Sequence, residues 1–194
     1  MAGTVTRWIM RAAALLLGVV LLAGTAIWSM SSRQLATRYQ VTPAAVAIPG
    51  DSASIARGRH LATAIGKCVD CHGENLAGQV MAMGPLGTFV PPNLTRGRGG
   101  VGDLSDEDLV RAIRHGVAPD GRGLVFMPSR AYAAMTAADL GALIAYVRSV
   151  PPVDNELPPA SIGPISRCSL VGSPHSRSTS LVRTKAGSVL TCSR

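Results

Sequence analysis

Aromatic side chains are scarce in this chain: two Phe, two Trp and three Tyr among 194 residues. So few large anchors leave the core of a domain this long short of volume, and a large apolar cofactor would supply it. Cysteine is equally sparse. The four cysteines, at positions 68, 71, 168 and 192, fall two in one pentapeptide and two far downstream, which is not the framework of a small disulfide scaffold. No run shows convincing strand alternation, which argues against a thioredoxin-like fold, and no segment repeats. Acidic residues are missing after Glu156, and this matters for the formal charge of +8. Residues 51–152 carry ten Lys or Arg against nine Asp or Glu, so the excess sits at the two ends. A nearly neutral middle leaves no electrostatic footprint for nucleic acid.

What is present begins with residues 12–28, AAALLLGVVLLAGTAIW, an uncharged apolar run preceded by Arg7 and Arg11. Trp8 and Trp28 flank it as interface aromatics do. It reads either as a retained membrane helix at the short limit of length or as a cleaved export signal, with Gly24-Thr25-Ala26 as a small-residue cleavage site. Both readings export the rest of the chain and keep the basic flank cytoplasmic. Residues 1–30 are therefore the signal or anchor. Residues 31–51, without sustained periodicity and with two prolines, read as a linker, and residues 52–157 as the globular domain. Residues 158–194 read as a disordered tail, because Ala160–Arg194 holds nine serines and neither aromatics nor acids.

Within the domain the spacing predicts a helix over 54–67, with Ile55, Gly58, Leu61, Ala62 and Ile65 on one stripe. Residues 73–103 hold eleven Gly or Pro and read as loop. A loop this long in a compact domain normally wraps something functional. Ser105 caps the next helix, which carries Leu109, Val110 and Ile113 on its apolar side and ends at Gly116. A second loop runs to about residue 135. Thr136 then caps a last helix through Arg148, with Leu140, Leu143, Ile144 and Val147 as its buried stripe.

Between the first helix and the first loop stands Cys68-Val69-Asp70-Cys71-His72. C-x-x-C-H is a haem-attachment signature for physical reasons. Two thiols separated by two residues reach the two vinyl groups on one porphyrin edge. The next residue lies under the iron, where the His72 imidazole becomes an axial ligand. A redox dithiol would want strands around it, and a zinc site would want a second ligand pair at zinc spacing; the chain offers neither. The reading is one covalent haem c with its iron, held by Cys68, Cys71 and His72.

An electron-transferring haem usually has a sixth ligand, and Met is a common one. Met81 and Met83 follow His72 too closely to round the haem edge easily, and Met135 precedes a helix cap as a core residue would. Met127 sits in Val125-Phe126-Met127-Pro128, on a loop long enough to cover the distal face, and Pro128 pushes it toward an extended backbone. Met127 is the expected ligand, ahead of His60 and His115. His72 also needs an acceptor for its other ring nitrogen, and the carbonyls near Pro91 and Pro92 are candidates. Arg96 or Arg98 are candidates for a haem propionate.

With CVDCH, PPNLT (91–95), SDEDLVRAIRHGV (105–117), MPSRAY (127–132) and DLGALIAYVRSVPPV (139–153) in hand, the chain resembles class I c-type cytochromes. It looks most like the membrane-anchored monohaem members that serve bacterial dehydrogenases and respiratory chains. The resemblance covers about residues 52–157 and weakens after Ser166. It implies a small all-α fold in which N- and C-terminal helices cross around one haem, with Gly58 and Leu61 facing Leu143 and Tyr146, and an N-terminal transmembrane helix. It implies His72 and Met127 as axial ligands, and electron transfer rather than catalysis. The implied partners are redox proteins: a dehydrogenase or quinol-oxidising donor, and a cytochrome or oxidase acceptor. The implied location is the inner membrane with the haem domain on the periplasmic side. The rival readings are a haem peroxidase or a gas-sensing haem module with a displaceable sixth ligand.

Overall fold

The computed structural model describes residues 2–172, so His175 and Cys192 lie outside the described residues. Helix α1 runs unbroken over Ala2–Ala36. Its most apolar window has a mean hydropathy of 2.1, and none of that window is buried by the rest of the chain. Leu15 and Leu22 are each 72% exposed. By length and composition this helix suffices to cross a membrane, since about 20 residues span a hydrocarbon core.

The domain core is a crossing of α2 (Ser52–His60) with α6 (Ala137–Ser149). Asp51 caps α2 by accepting from the Ser54 N–H, and Thr136 caps α6 by accepting from the Asp139 N–H. Both caps satisfy donors that the first turn leaves orphaned. Gly58 permits the crossing: a side chain there would collide with the Ala142 carbonyl and the Tyr146 Cβ. Leu61, Ala62, Leu109, Val110, Leu140, Ala142, Leu143 and Ile144 form the core cluster. Leu140 and Ile144 are fully buried, each contributing about 1.5–3 kcal/mol.

Helix α2 widens into a π turn over Leu61–Ile65 before α3 (Cys68–His72). Helix α4 (Asp106–Val110) starts with a reciprocal capping box between Ser105 and Asp108. It too ends in a π turn, Arg111–His115, closed by Gly116 at φ 66°. The loop expected over 117–135 contains a one-turn helix, α5 (Ser129–Tyr132).

Three readings of the sequence need correcting. The fold is helix-rich but not purely helical: β1 (Met81–Ala82), β2 (Gly87–Phe89) and β3 (Ser161–Ile162) form a three-stranded antiparallel sheet. Strands of two or three residues are too short to leave an alternating pattern, and β3 comes from the segment read as tail. Residues 31–51 are not a free tether. Residues up to Ala36 continue α1, and the stretch beyond is a strap on the domain, with Val41 buried and Val46 and Ile48 packed on the core. Of the segment read as a disordered tail, residues 173–194 lie outside the described residues, and residues 158–172 are ordered in part. Helix α7 (Pro164–Gly172) lies against α1, its Arg167 guanidinium 3.8 Å from the Trp28 ring centre and bonded to the hydroxyls of Ser31 and Ser32.

Candidate haem site

The approach to the C-x-x-C-H motif is set by backbone geometry. Gly66 N–H closes the π turn onto the Leu61 carbonyl at 2.6 Å, and Lys67 then takes a left-handed φ of 50°. That turn starts α3 at Cys68, so Cys68 and Cys71 stand one helical turn apart on its short surface. Both are free thiols and both are half-buried. Burial pushes the Cys68 thiol up, and the neighbouring Cys71 adds to that. The end of α3 is closed by Gln79, whose side-chain amide donates to the carbonyls of Asp70 and Cys71 at 3.0 and 2.9 Å.

His72 Nδ1 lies 2.9 Å from the Pro92 carbonyl oxygen. A carbonyl only accepts, so Nδ1 carries the proton and Nε2 keeps its lone pair. Burial lowers the pKa of His72 from its ordinary value, and the bond to Pro92 opposes that shift without reversing it. The ring is therefore neutral at pH 7 and has one free nitrogen of the kind iron takes.

The Pro92 carbonyl is itself held in place. Asn93 is fully buried, donates to the Val153 carbonyl at 2.8 Å and accepts from the Thr95 N–H at 2.9 Å. Thr95, also fully buried, exchanges bonds with the Val153 backbone through its hydroxyl, at 3.2 and 3.0 Å. From the other side, Gly78 N–H donates to the His72 carbonyl and Leu94 N–H to the Leu76 carbonyl. Gly78, at φ 77°, brings the chain so close that a side chain would strike Asn93 N and Pro91 O. Reading the sequence singled out none of Gln79, Asn93 and Thr95. Two polar side chains inside an otherwise apolar PPNLT loop were the available signal.

Met127 is half-buried at the end of the loop over 117–127. Its carbonyl accepts from Ser129 N–H at 2.8 Å, and the Ser129 hydroxyl reaches the Ala112 carbonyl. Phe126 beside it packs edge to face with Phe89. Tyr132 returns this segment to the motif: its hydroxyl donates to the Gly66 carbonyl at 2.7 Å. Burial raises the Tyr132 phenol, and Cys68 and Cys71 push it further the same way. The other candidates fall elsewhere. Arg98 pairs with Asp154 on an exposed face. His115 ends the π turn after α4, and Met135 packs on the core.

The motif's donors fit a c-type haem: two free thiols separated by two residues and a neutral imidazole with Nε2 free. Among the described residues, no three His, Cys, Asp or Glu side chains gather as a bare metal ion would require. Fold and site together define a c-type cytochrome domain.

Residues 53–147 match the family described as Cytochrome C oxidase, cbb3-type, subunit III, and this stretch of the chain belongs to that c-type cytochrome family. The gluconate 2-dehydrogenase cytochrome c subunit of Pantoea cypripedii is 38% identical over 120 residues, covering 56% of this chain and 27% of that protein. The fructose dehydrogenase cytochrome subunit of Gluconobacter japonicus is 35% identical over 148 residues, covering 72% of this chain and 28% of that protein. The alcohol dehydrogenase (quinone) cytochrome c subunit of Gluconacetobacter polyoxogenes is 36% identical over 110 residues, covering 53% and 23%. The chain thus spans about a quarter of the length of these relatives. Membership of a c-type cytochrome family implies a covalently bound haem c with its iron in this domain.

Proposed function

We propose that this chain is a class I electron carrier, not a catalyst, in which His72 Nε2 and Met127 Sδ would hold the haem iron and Cys68 and Cys71 would be the two thioether donors. It accepts single electrons from a dehydrogenase or a quinol-oxidising complex and passes them to another cytochrome or an oxidase. The names of the relatives favour a sugar- or alcohol-oxidising dehydrogenase as donor. We read α1 as a retained anchor of the inner membrane with the haem domain on the periplasmic side. An unbroken helix through Ala36 with α7 packed on its outer end supports that reading.

The observation that carries the proposal is the bond from His72 Nδ1 to Pro92. It fixes the tautomer, orients the ring and makes the imidazole a better donor through its other nitrogen. When bound, the haem supplies a one-electron iron couple. The chain's residues set its surroundings. Cys68 and Cys71 hold it covalently, so a small domain keeps it without a large enclosing pocket. A soft Met127 thioether favours the reduced metal and raises the potential. With His72 and Met127 both holding the iron, no substrate would bind, and partners would meet the domain through a small, transient contact.

Two measurements test this. The reduced protein should bind carbon monoxide slowly, and the ferric protein should show the methionine-to-iron charge-transfer band. Met127→Ala should abolish the band and lower the potential. An unchanged spectrum and potential in that variant would remove Met127 from the ligand set.

A further inference from the structure

Residues 117–127 need support, because a loop that holds an axial thioether must resist opening. Internally the loop is a short hairpin. Ala118 N–H donates to Arg122 O at 2.8 Å, Gly121 N–H to Ala118 O at 2.9 Å and Leu124 N–H to Gly116 O at 2.7 Å. Its outer edge would be an unpaired strand exposed to water. The chain covers that edge with its own strap. Tyr39 N–H donates to the Gly121 carbonyl at 2.7 Å, and Arg38 pairs with Arg122 as an antiparallel bridge.

The Tyr39 ring lies over Gly123, where an added Cβ would stand 3.4 Å from it. Any side chain at Gly121, which has a φ of 81°, would press on the Tyr39 carbonyl. Two residues on, the Val41 carbonyl accepts from Arg111 Nε at 2.9 Å, tying the strap to the turn after α4. Tyr39 and Val41 of the strap line the same recess, of about 430 Å³, as Val117, Leu124 and Met127 of the loop. Tyr39 stands three residues past the last residue of α1.

We propose that the strap, through Tyr39, is a positioning element for Met127: it completes the edge of the distal hairpin and holds the loop closed over the iron. This rests on Met127 being the sixth ligand. Tyr39 touches neither iron nor haem in this scheme; it acts through Gly121 and Gly123. Its consequence is that the anchor and the ligand loop are mechanically coupled, so a disturbance of the outer end of α1 reaches the Met127 bond.

The test uses the full-length, haem-loaded protein in detergent and compares Tyr39→Ala, Tyr39→Phe and Val147→Ala. The last is a buried core variant of α6 that lowers global stability by itself. Two quantities are read: the rate of carbon monoxide association with the reduced protein, and the temperature at which the ferric charge-transfer band disappears relative to loss of helical circular dichroism. Tyr39→Ala should bind carbon monoxide about tenfold faster, a change in open-loop population worth about 1.4 kcal/mol. It should also lose the band well before it unfolds. Tyr39→Phe, which keeps the ring over Gly123, should behave as the parent, and Val147→Ala should lose band and helicity together.

If Tyr39→Ala matches Val147→Ala in both readouts, the strap is merely structural and the proposal fails. If Met127→Ala retains the band, the ligand assignment fails instead, and the two failures are distinct. Should Tyr39→Ala not take up haem, Tyr39→Leu, which keeps apolar bulk without the flat face, is read by the same criteria.

Discussion

His72 and Pro92 are joined by a 2.9 Å hydrogen bond across twenty residues of chain, from the ring Nδ1 to the backbone carbonyl. Proline has no N–H and a fixed φ, so its carbonyl direction is set largely by what holds the residues on either side. Here those holders are Asn93 and Thr95, both fully buried and both bonded to the backbone of Val153 beyond α6. The histidine is thus oriented from the far end of the domain.

Asn93→Ala should therefore destabilise more than its size suggests. It leaves the Thr95 N–H without its acceptor and removes a donor from Val153, at a cost of about 1–3 kcal/mol. For a domain near 100 residues this lowers the melting temperature of the haem-loaded protein by roughly 4–8 °C per kcal/mol. A thermal melt followed at a haem band measures it. No change would mean that the two prolines alone hold the carbonyl.

Gly58 admits no side chain. Gly58→Ala would drive a methyl into both the Ala142 carbonyl and the Tyr146 Cβ, and Gly58→Val would add two further methyls to the same collision. Overpacking of this kind costs about 1–3 kcal/mol and here falls at the densest helix crossing. The expected outcome is reduced yield of haem-loaded protein for alanine and none for valine, scored by haem staining of a denaturing gel. Equal yields from all three proteins would show that α2 and α6 separate freely.

Much of this was legible in the chain. Gly58, Leu61 and Ala62 of the first stripe pack against Leu140, Leu143 and Ile144 of the last, but Ile65, read onto the first stripe, is exposed, because the π turn over Leu61–Ile65 breaks the 3.6-residue period there. CVDCH is written in five consecutive residues. What stayed hidden depends on partners distant in sequence. Asn93 and Val153, or Tyr39 and Gly121, meet only after folding, and no local pattern marks them. The strap was misread because its apolar contacts, Val41, Val46 and Ile48, follow no period, and its hydrogen bonds run through backbone groups, which every residue carries. Helix α7 was misread because one contact, Arg167 on Trp28, outweighs a composition that otherwise resembles a disordered segment.

Stability should fall with acid in two stages. Burial, then the charges of Arg114 and Arg111, lower the pKa of His115. The unfolded chain therefore binds this proton first, and stability declines as pH drops below about 6.5. The second stage belongs to Asp51, Asp108, Asp139 and Asp154. Asp51 is held low first by the Ser54 N–H, Asp108 by the Ser105 hydroxyl, Asp139 by Arg57 and Asp154 by the Arg98 N–H. Their contribution is intact above about pH 4 and disappears as pH falls through the lower folded values. Urea midpoints from pH 8 to pH 3 should show a shallow first decline, reduced in His115→Gln, and a steeper second one, reduced in Asp139→Asn. A first decline of unchanged size in His115→Gln would assign it to another group.

Arg167 is the hinge of the contact between α7 and α1. Its guanidinium lies over the Trp28 ring and donates to Ser31 and Ser32, and Ser31 is fully buried beneath it. A cation over an indole contributes about 0.5–2 kcal/mol depending on how dry the site is. Around it α7 buries only Leu170 among its apolar side chains and leaves Ile165 half-exposed. With so little other burial, removing the cation should detach α7 while leaving the α2–α6 core and the haem motif intact. Arg167→Ala should become sensitive to a broad-specificity protease within residues 150–163, the segment between α6 and α7, with an unchanged haem spectrum and an unchanged core melting temperature. Arg167→Lys should be intermediate, because a lysine keeps the charge over Trp28 but loses the planar fork that reaches both serines. Mass spectrometry of the released fragments, compared with the parent in the same detergent, decides it. Identical cleavage in all three proteins would mean that the sheet contact at Ser161 and Ile162, rather than Arg167, keeps this segment in place.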